Sequence, residues 1–463
     1  MSLLPSPARE RRRTDAVPAG RGHPAPGVLL LAGCAVALGL GAAVAVDPAL
    51  ALGIPVAGVL TLLVLARGDA RIATVVFGGL VVFQSSTDVS MLKYGYLGLV
   101  LLSYAVALTR VCRAGSDELT ILRPALLASA PLAALLAVSL PVALGNGVRL
   151  SDWFRDGFPY LLLVIVPALA FDASKTVRAA VLRRFLVLAG LLTTVSFTFT
   201  WLERRGVGVL DVTRIAAYSI GLIACLFSYA VVRAALGPGR VRWFAVVISL
   251  LVGVLVTGTR SGLVLGGAFA GVLGSAAKCR VPLPRISAVL LPLAVAAALG
   301  TPWLASKVSS DPDFLKTRVS SAVAVASGGV EDDQSLLARR NDYQAAYTQV
   351  TRHVWLGTGP GYRYVRPSLT RRVVRESYTL DTPLTTVAKF GVVGTALCLC
   401  YLVSLGLAFR RSYRAAGPSH VATAGRALAA VFVAFLPFGS LLEDKGMAIG
   451  LLLLLALLPR EAP

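Results

Sequence analysis

The sequence predicts an all-α fold: a polytopic transmembrane helical bundle of about 12–14 spans that carries one large, partly helical extracytoplasmic loop. Three observations carry this expectation. Of 463 residues, 56% are hydrophobic and only 15% charged, with a mean hydropathy of +0.76; a soluble chain of this size needs far more polar surface. Apolar runs close to the about 20 residues that a bilayer core demands follow one another almost end to end. Lys and Arg concentrate in every second connection, as cytoplasmic loops do.

Fourteen runs qualify as spans: 27–46, 48–66, 72–86, 93–111, 124–144, 157–172, 183–202, 213–233, 241–257, 261–277, 286–303, 382–409, 423–440 and 446–459. Runs 72–86, 157–172, 261–277 and 446–459 are short, which sets the lower bound of the count. The organisation is a cytoplasmic tail (1–26), spans one to eleven (27–303), a large extracytoplasmic loop (304–381) and C-terminal spans with a short cytoplasmic tail (382–463). The first residues are rich in Pro and Arg and show no cleavage-site pattern, so they read as a tail rather than a signal peptide. With the N-terminus inside, 25 of the 45 Lys and Arg residues lie on the cytoplasmic side. With residues within three positions of a span end counted to the adjoining loop, as in that count, eight lie in short outer loops, 11 in the long loop, and Lys389 alone falls deeper within a span. Both termini are then cytoplasmic, and the expected location is the cytoplasmic membrane.

The formal charge of +22 is accordingly an orientation and anionic-lipid signal. A nucleic-acid partner is a poor reading, because the basic residues are spread loop by loop instead of gathered on one face. The six cysteines fall in spans or cytoplasmic loops, which predicts no disulfide framework outside, and Cys398 and Cys400 read as packing residues.

Cytoplasmic connections such as "RGDAR" and "SKTVRAAVLRR" are plain anchors. The outer face differs, because charges occur there against the bias. Arg149, Asp152, Arg155 and Asp156 stand in "VRLSDWFRDGFPY"; Glu203, Arg204, Arg205, Asp211 and Arg214 stand in "WLERRGVGVLDVTRI"; Glu443, Asp444 and Lys445 stand in "LLEDKG". Charges beside a bilayer either terminate helices at the interface or face a shared aqueous cavity. Arg260 is the sharpest case. "GVLVTGTRSGLVLGG" holds one charge between two apolar runs, with Thr257, Thr259 and Ser261 beside it and glycines at 258 and 262. A guanidinium so placed requires an anionic partner, either a protein carboxylate or a phosphate.

The long loop takes a helical pattern from Gln334 to His353, where Leu337, Tyr343, Ala346, Tyr347 and Val350 recur at three- and four-residue steps. Arg339 and Arg340 stand in its first half. The helix runs into "HVWLGTGPGYRY", residues 353–364. Glycine at this density marks a turn or an anion-binding backbone. Outside the cytoplasm a nucleoside triphosphate is not the working substrate, so a turn remains, or a loop shaped against the membrane. In that second reading His353, Gly357, Gly359, Pro360 and Gly361 shape the loop.

Three stretches occur in order: "VTGTRSGLVLG" (256–266), "RRNDYQAAYTQVTRHVWLGTGPG" (339–361) and "DTPLTTVAKFGVVG" (381–394). Together they resemble the O-antigen ligase and polysaccharide polymerase family, integral membrane glycosyltransferases of the polyprenol-dependent, GT-C kind. Arg260, Arg339, Tyr343, Ala346, His353, Gly357, Gly359, Pro360, Gly361, Gly391 and Gly394 fall on the family pattern, over roughly residues 150–450.

The resemblance implies transfer of a glycan from an undecaprenyl-diphosphate carrier to an acceptor hydroxyl outside the cytoplasmic membrane. It implies no cofactor and no metal, since the activated bond arrives with the lipid. The leaving diphosphate must be neutralised as its charge develops, a task suited to guanidinium groups. Arg260, Arg339, Arg340, Arg155, Arg214 and Arg363 are the candidates for that contact, with Arg260 also counted as catalytic. The family's His-Asn pair falls on Leu380 and Asp381, so the His that would orient or activate the acceptor is missing. Asp381 or Glu376 is left to act as base, or Asp381 simply caps the span that follows. Polymerase and ligase are not separated by sequence. A flippase or transporter of lipid-linked oligosaccharide and a non-catalytic envelope-assembly protein remain as alternatives.

Overall fold

The computed structural model describes residues 58–82, 91–203, 220–236, 239–256, 334–367, 374–377, 382–416, 419–435 and 441–460. The chain divides into residues 1–62 and residues 63–463. Of the first unit, residues 58–62 are described and are helical. Everything below concerns the second.

Ten helices organise the described part of that unit. They are α1 (Met91–Arg113), α2 (Arg123–Gly145), α3 (Leu150–Thr176), α4 (Ala179–Glu203) and α5 (Ile220–Leu236), then α6 (Arg240–Val256), α7 (Gln334–Arg352), α8 (Leu384–Ala416), α9 (His420–Phe435) and α10 (Lys445–Leu457). Strands β1 (Tyr364–Pro367) and β2 (Val374–Ser377) form an antiparallel hairpin. Five of the helices (α1, α2, α3, α4 and α8) are long and apolar enough to cross a membrane. Among the described residues the protein is therefore mostly helical, and its apolar helices suit a bilayer.

The central helix is α3. Its most apolar window is 94% buried inside the protein, against 22% for α1 and 28% for α2. It packs on α1, α2 and α10. α5 forms a second centre among α4, α6, α9 and α10. Helices of this composition bury all round only when neighbours surround them, and leave an apolar flank to lipid when they do not. Exposed Leu101, Leu127, Leu188, Leu399 and Val403 belong to such flanks.

One expectation is corrected here. The run 157–172 read as a short span, yet α3 has 27 residues. The polar segment "SDWFRD" continues the helix outward, with Asp152 in the first turn, where the positive end of the helix dipole favours a carboxylate. Within the run 72–86, read as one span, residues 68–82 are continuously helical with a π turn at Thr74–Gly78, and 83–86 lie outside the described residues. The loop helix matches its expected range to within one residue, whereas the β1–β2 hairpin was not anticipated. Spans 27–46, 261–277 and 286–303 lie outside the described residues.

Proline inside α3 has a visible compensation. Pro167 has no N–H to give to the Leu163 carbonyl one turn earlier. The Tyr401 hydroxyl of α8 donates to that carbonyl instead, tying the two helices together at mid-depth.

The two ends of α3 carry buried charge. Near its C-terminus, Asp172 accepts from Arg71 Nε at 2.9 Å and from Arg71 Nη2 at 3.2 Å, and Arg110 Nε of α1 lies 3.1 Å away. Arg71 Nη1 also donates to the Val64 carbonyl at 2.6 Å. Near the N-terminus stands Asp156. The sixteen-residue rise between the two aspartates is about 24 Å, less than the about 30 Å hydrocarbon thickness of a bilayer.

Candidate functional site

The site begins with a break in a helix. Gly391 interrupts α8 with φ 64° and ψ −170°, and a break leaves carbonyls before it and N–H groups after it without helical partners. The glycine stretch supplies them. Thr358 N–H donates to the Ala388 carbonyl at 2.8 Å and Gly359 N–H to the Lys389 carbonyl at 2.9 Å. In return Val392 N–H donates to the Val354 carbonyl at 2.8 Å and Val393 N–H to the Trp355 carbonyl at 3.4 Å. Irregular backbone at membrane depth survives only where protein satisfies it. Here loop and broken helix satisfy each other.

Glycine is required on both sides of this joint. A Cβ on Gly391 would run into the backbone of Trp355. A Cβ on Gly361, where φ is 86°, would stand 2.6 Å from the Asp152 carbonyl carbon. Gly357 and Gly359 share the positive φ, and Pro360 rests over Gly157 of α3. Asn146 Nδ2, just past α2, donates to the Thr358 carbonyl at 3.0 Å. The glycine loop thus lies across α2, α3 and α8, with its N–H groups at 358, 359 and 361 all spent on protein acceptors.

Under it sits a buried charge network. Lys389 Nζ donates to Asp156 Oδ1 at 2.7 Å and lies 2.8 Å from Glu443 Oε1. The Asp156 partner oxygen Oδ2 accepts from Gly361 N–H at 2.7 Å. Tyr160 Oη, one turn further along α3, donates to Glu443 Oε1 at 3.2 Å. The Lys389 side chain is fully buried, and those of Asp156 and Glu443 are 7% and 8% exposed. Two carboxylates against one ammonium leave the network one negative charge in excess. Burial holds the Glu443 carboxyl above its ordinary range, and Lys389 pulls it back down.

Above the network is a rim of half-buried charge, of which Arg363 is the exposed member. Asp152 Oδ1 lies 3.6 Å from Arg155 Nη2, and Asp152 Oδ2 lies 3.7 Å from Arg363 Nη2. Asp152 thereby lies between the guanidinium groups of α3 and the loop. Lys445 precedes the apolar run of α10. Desolvation, then the nearby charge of Lys93, lowers its ammonium to about 8, with Asp444 and Asp156 opposing and Arg155 adding to the repulsion. Cations from α1, α3, α10 and the loop are therefore within electrostatic reach of one another.

The sequence-predicted residues distribute as follows. Arg155 and Arg363 meet at Asp152. Gly357, Gly359, Pro360 and Gly361 are buried in the joint, and His353 closes α7 with its N–H on the Gln349 carbonyl at 2.9 Å. Arg340 is exposed on α7. Arg339 is on the same helix, and Glu376 lies in β2 opposite Val365. Arg260, Arg214 and Asp381 lie outside the described residues. Sequence reasoning missed Lys389, Asp156, Glu443 and Tyr160 as a group. One signal was available: a lone Lys in the apolar run "TTVAKFGVVG" demands a carboxylate partner. Asp156 does not end a helix at the interface, as outer-face charges commonly do; it lies within α3 and is buried. Among the described residues no three His, Cys, Asp or Glu gather in a way that would hold a metal ion.

No protein-family model matches the chain, and no curated protein matches it significantly.

Proposed function

We propose that the protein is a membrane glycosyltransferase of the polysaccharide polymerase or ligase type. In this reading it moves a glycan from an undecaprenyl-diphosphate carrier to an acceptor hydroxyl at the outer face of the cytoplasmic membrane. The observation that carries the reading is the coincidence, at one end of the bundle, of a cationic rim and a buried carboxylate network beneath a loop locked onto a broken helix. Arg155 and Arg363 meet at Asp152, and Lys93 and Lys445 add charge nearby. Such a rim suits a diphosphate at the membrane surface, where guanidinium groups stabilise charge as it develops on the leaving group. The three-motif resemblance to the O-antigen ligase and polymerase family supplies the chemistry, and Arg260 belongs to the same proposal. The glycine stretch is the wall of this site rather than its phosphate cradle, because its N–H groups already serve Ala388, Lys389 and Asp156.

A second reading has its own support. Charges brought together from α3, α8 and the turn before α10 also suit a transporter of lipid-linked oligosaccharide, where intramembrane ion networks accompany substrate passage. One assay separates the two. Purified protein in nanodiscs is supplied with a synthetic undecaprenyl-diphosphate oligosaccharide and several glycan acceptors. The glycosyltransferase reading expects chain extension or transfer, reduced about 10- to 1,000-fold by Arg155→Ala, Arg363→Ala or Arg260→Ala. Absence of any product from the wild type across the acceptors defeats it. Movement of the intact donor across proteoliposomes would then favour the transporter.

A further inference from the structure

We propose that Glu443 is the base that receives the acceptor hydroxyl proton, an assignment that rests on the glycosyl-transfer reading above. The argument starts from an asymmetry. Asp156 uses both oxygens, Oδ1 for Lys389 and Oδ2 for the Gly361 N–H. Glu443 receives both of its donors on one oxygen: Lys389 Nζ and Tyr160 Oη meet at Oε1. Its Oε2 is buried and, among the described residues, has no hydrogen-bond partner. A buried carboxylate oxygen without a donor is costly, so the position suits a ligand that brings one. A hydroxyl is the group that fits, since it brings a donor hydrogen and no charge to a network already carrying one net negative charge.

The surroundings suit a base. Asp156 and Tyr160 face Glu443 from α3 and Lys389 faces it from α8, while Asp444 and Lys445 follow it in the chain. The two donors on Oε1 fix the carboxylate plane, which leaves Oε2 as the accepting atom, as an orienting partner does for a catalytic base. Burial raises the affinity of the carboxyl for a proton, with Lys389 opposing, and a raised proton affinity makes a stronger base. In the step itself, Glu443 Oε2 takes the proton of the acceptor O–H. The acceptor oxygen forms its bond to the anomeric carbon as the bond from that carbon to the phosphate oxygen breaks. The diphosphate leaves with the electron pair, against the cationic rim. Glu443 then releases its proton to water.

This residue also answers the gap left by the missing family His at Leu380. The two carboxylates offered by the sequence, Asp381 and Glu376, precede the broken helix in the chain. Glu443 follows that helix in the chain, in the turn before α10.

The test uses full-length protein in nanodiscs with the same synthetic donor and a productive acceptor. Glu443→Gln preserves shape and the acceptor capacity of one oxygen, and is expected to lower kcat/KM about 100- to 10,000-fold. Donor affinity, read separately by binding of the lipid-linked oligosaccharide, should stay within about twofold, because the diphosphate contacts are elsewhere. The wild-type rate should rise with pH on the acid side as Glu443 deprotonates, and Glu443→Gln should lose that limb. Glu443→Asp should keep the limb at reduced rate, and it guards against misfolding of the Gln variant. Turnover of Glu443→Gln within about threefold of an active wild type overturns the assignment and leaves the glycosyl-transfer reading standing. A wild-type rate that is flat on the acid side, or a limb that survives in Glu443→Gln, also overturns the assignment alone. An inactive wild type overturns both.

Discussion

Lys389 on α8 donates to Asp156 on α3 at 2.7 Å, and both side chains are buried. This pair joins the two long helices at the end where the glycine loop covers them. Its stability rests on mutual compensation, because either charge alone would be stranded in a medium of low dielectric. Lys389→Met leaves Asp156 and Glu443 as facing carboxylates. The expected loss is about 3–5 kcal/mol, read as a lower unfolding temperature in detergent. The triple variant Asp156→Asn, Lys389→Met, Glu443→Gln should recover part of that loss, since no charge then remains buried. An unfolding temperature unchanged in Lys389→Met would show that the pair carries no structural load.

The joint at Gly391 predicts a different failure. Gly391→Ala combines a left-handed φ with a collision against Trp355, and the about 1–3 kcal/mol of strain falls on the loop contact. The helix on either side is otherwise intact, so the variant should still fold as a bundle. Limited proteolysis should cut residues 353–367 faster than in the wild type, with helical content by circular dichroism little changed. Equal cleavage rates would mean that the loop does not depend on the break.

The helices were legible because hydropathy reports burial in lipid or protein without needing to know the partner. The loop helix was legible for the same reason, with Ala346 buried at 0% exposure on its periodic face. Other features depend on contacts between distant parts of the chain. "GTGPG" signalled unusual backbone, but nothing local says that its N–H groups meet the carbonyls freed at Gly391. Hydropathy averaging also hides Lys389, which is one charge in a run of apolar residues. The carboxylates at 156 and 443 looked like interface residues because they border apolar runs, and only the packing of α3, α8 and α10 brings them inward. The length of α3 was misjudged because a hydropathy window stops at charge, whereas a helix does not.

Lys445 gives the rim a pH dependence. Its folded value of about 8 lies below the ordinary lysine value of 10.5, because the desolvated ammonium is disfavoured. The unfolded chain therefore binds the proton more tightly, so the Lys445 contribution to stability rises as pH climbs from about 8 to about 10.5. Anion binding runs the other way. An anion at the rim favours the protonated form, so affinity for the diphosphate-linked donor should weaken as pH rises through about 8. Lys445→Met should bind the donor more weakly at pH 7 and lose this dependence. A donor affinity constant from pH 7 to pH 9 in the wild type would count against Lys445 as part of the rim.

At the opposite end of α3, Asp172 has two arginine partners in unequal settings. Arg71 is fully buried and makes a two-pronged contact, whereas the Arg110 side chain is 43% exposed and offers one nitrogen at 3.1 Å. Water screens the second partner and not the first, so geometry and burial give them different weight. Arg71→Met should cost about 3–5 kcal/mol, because Asp172 loses its bidentate partner and the Val64 carbonyl loses a donor. Arg110→Ala should cost about 0–1 kcal/mol. Asp172→Asn should resemble Arg71→Met, since it strands the buried guanidinium instead of the carboxylate. Thermal unfolding of the three variants in the same detergent checks the order. If Arg110→Ala proves as damaging as Arg71→Met, Asp172 is held from the α1 side and burial of Arg71 is not what decides.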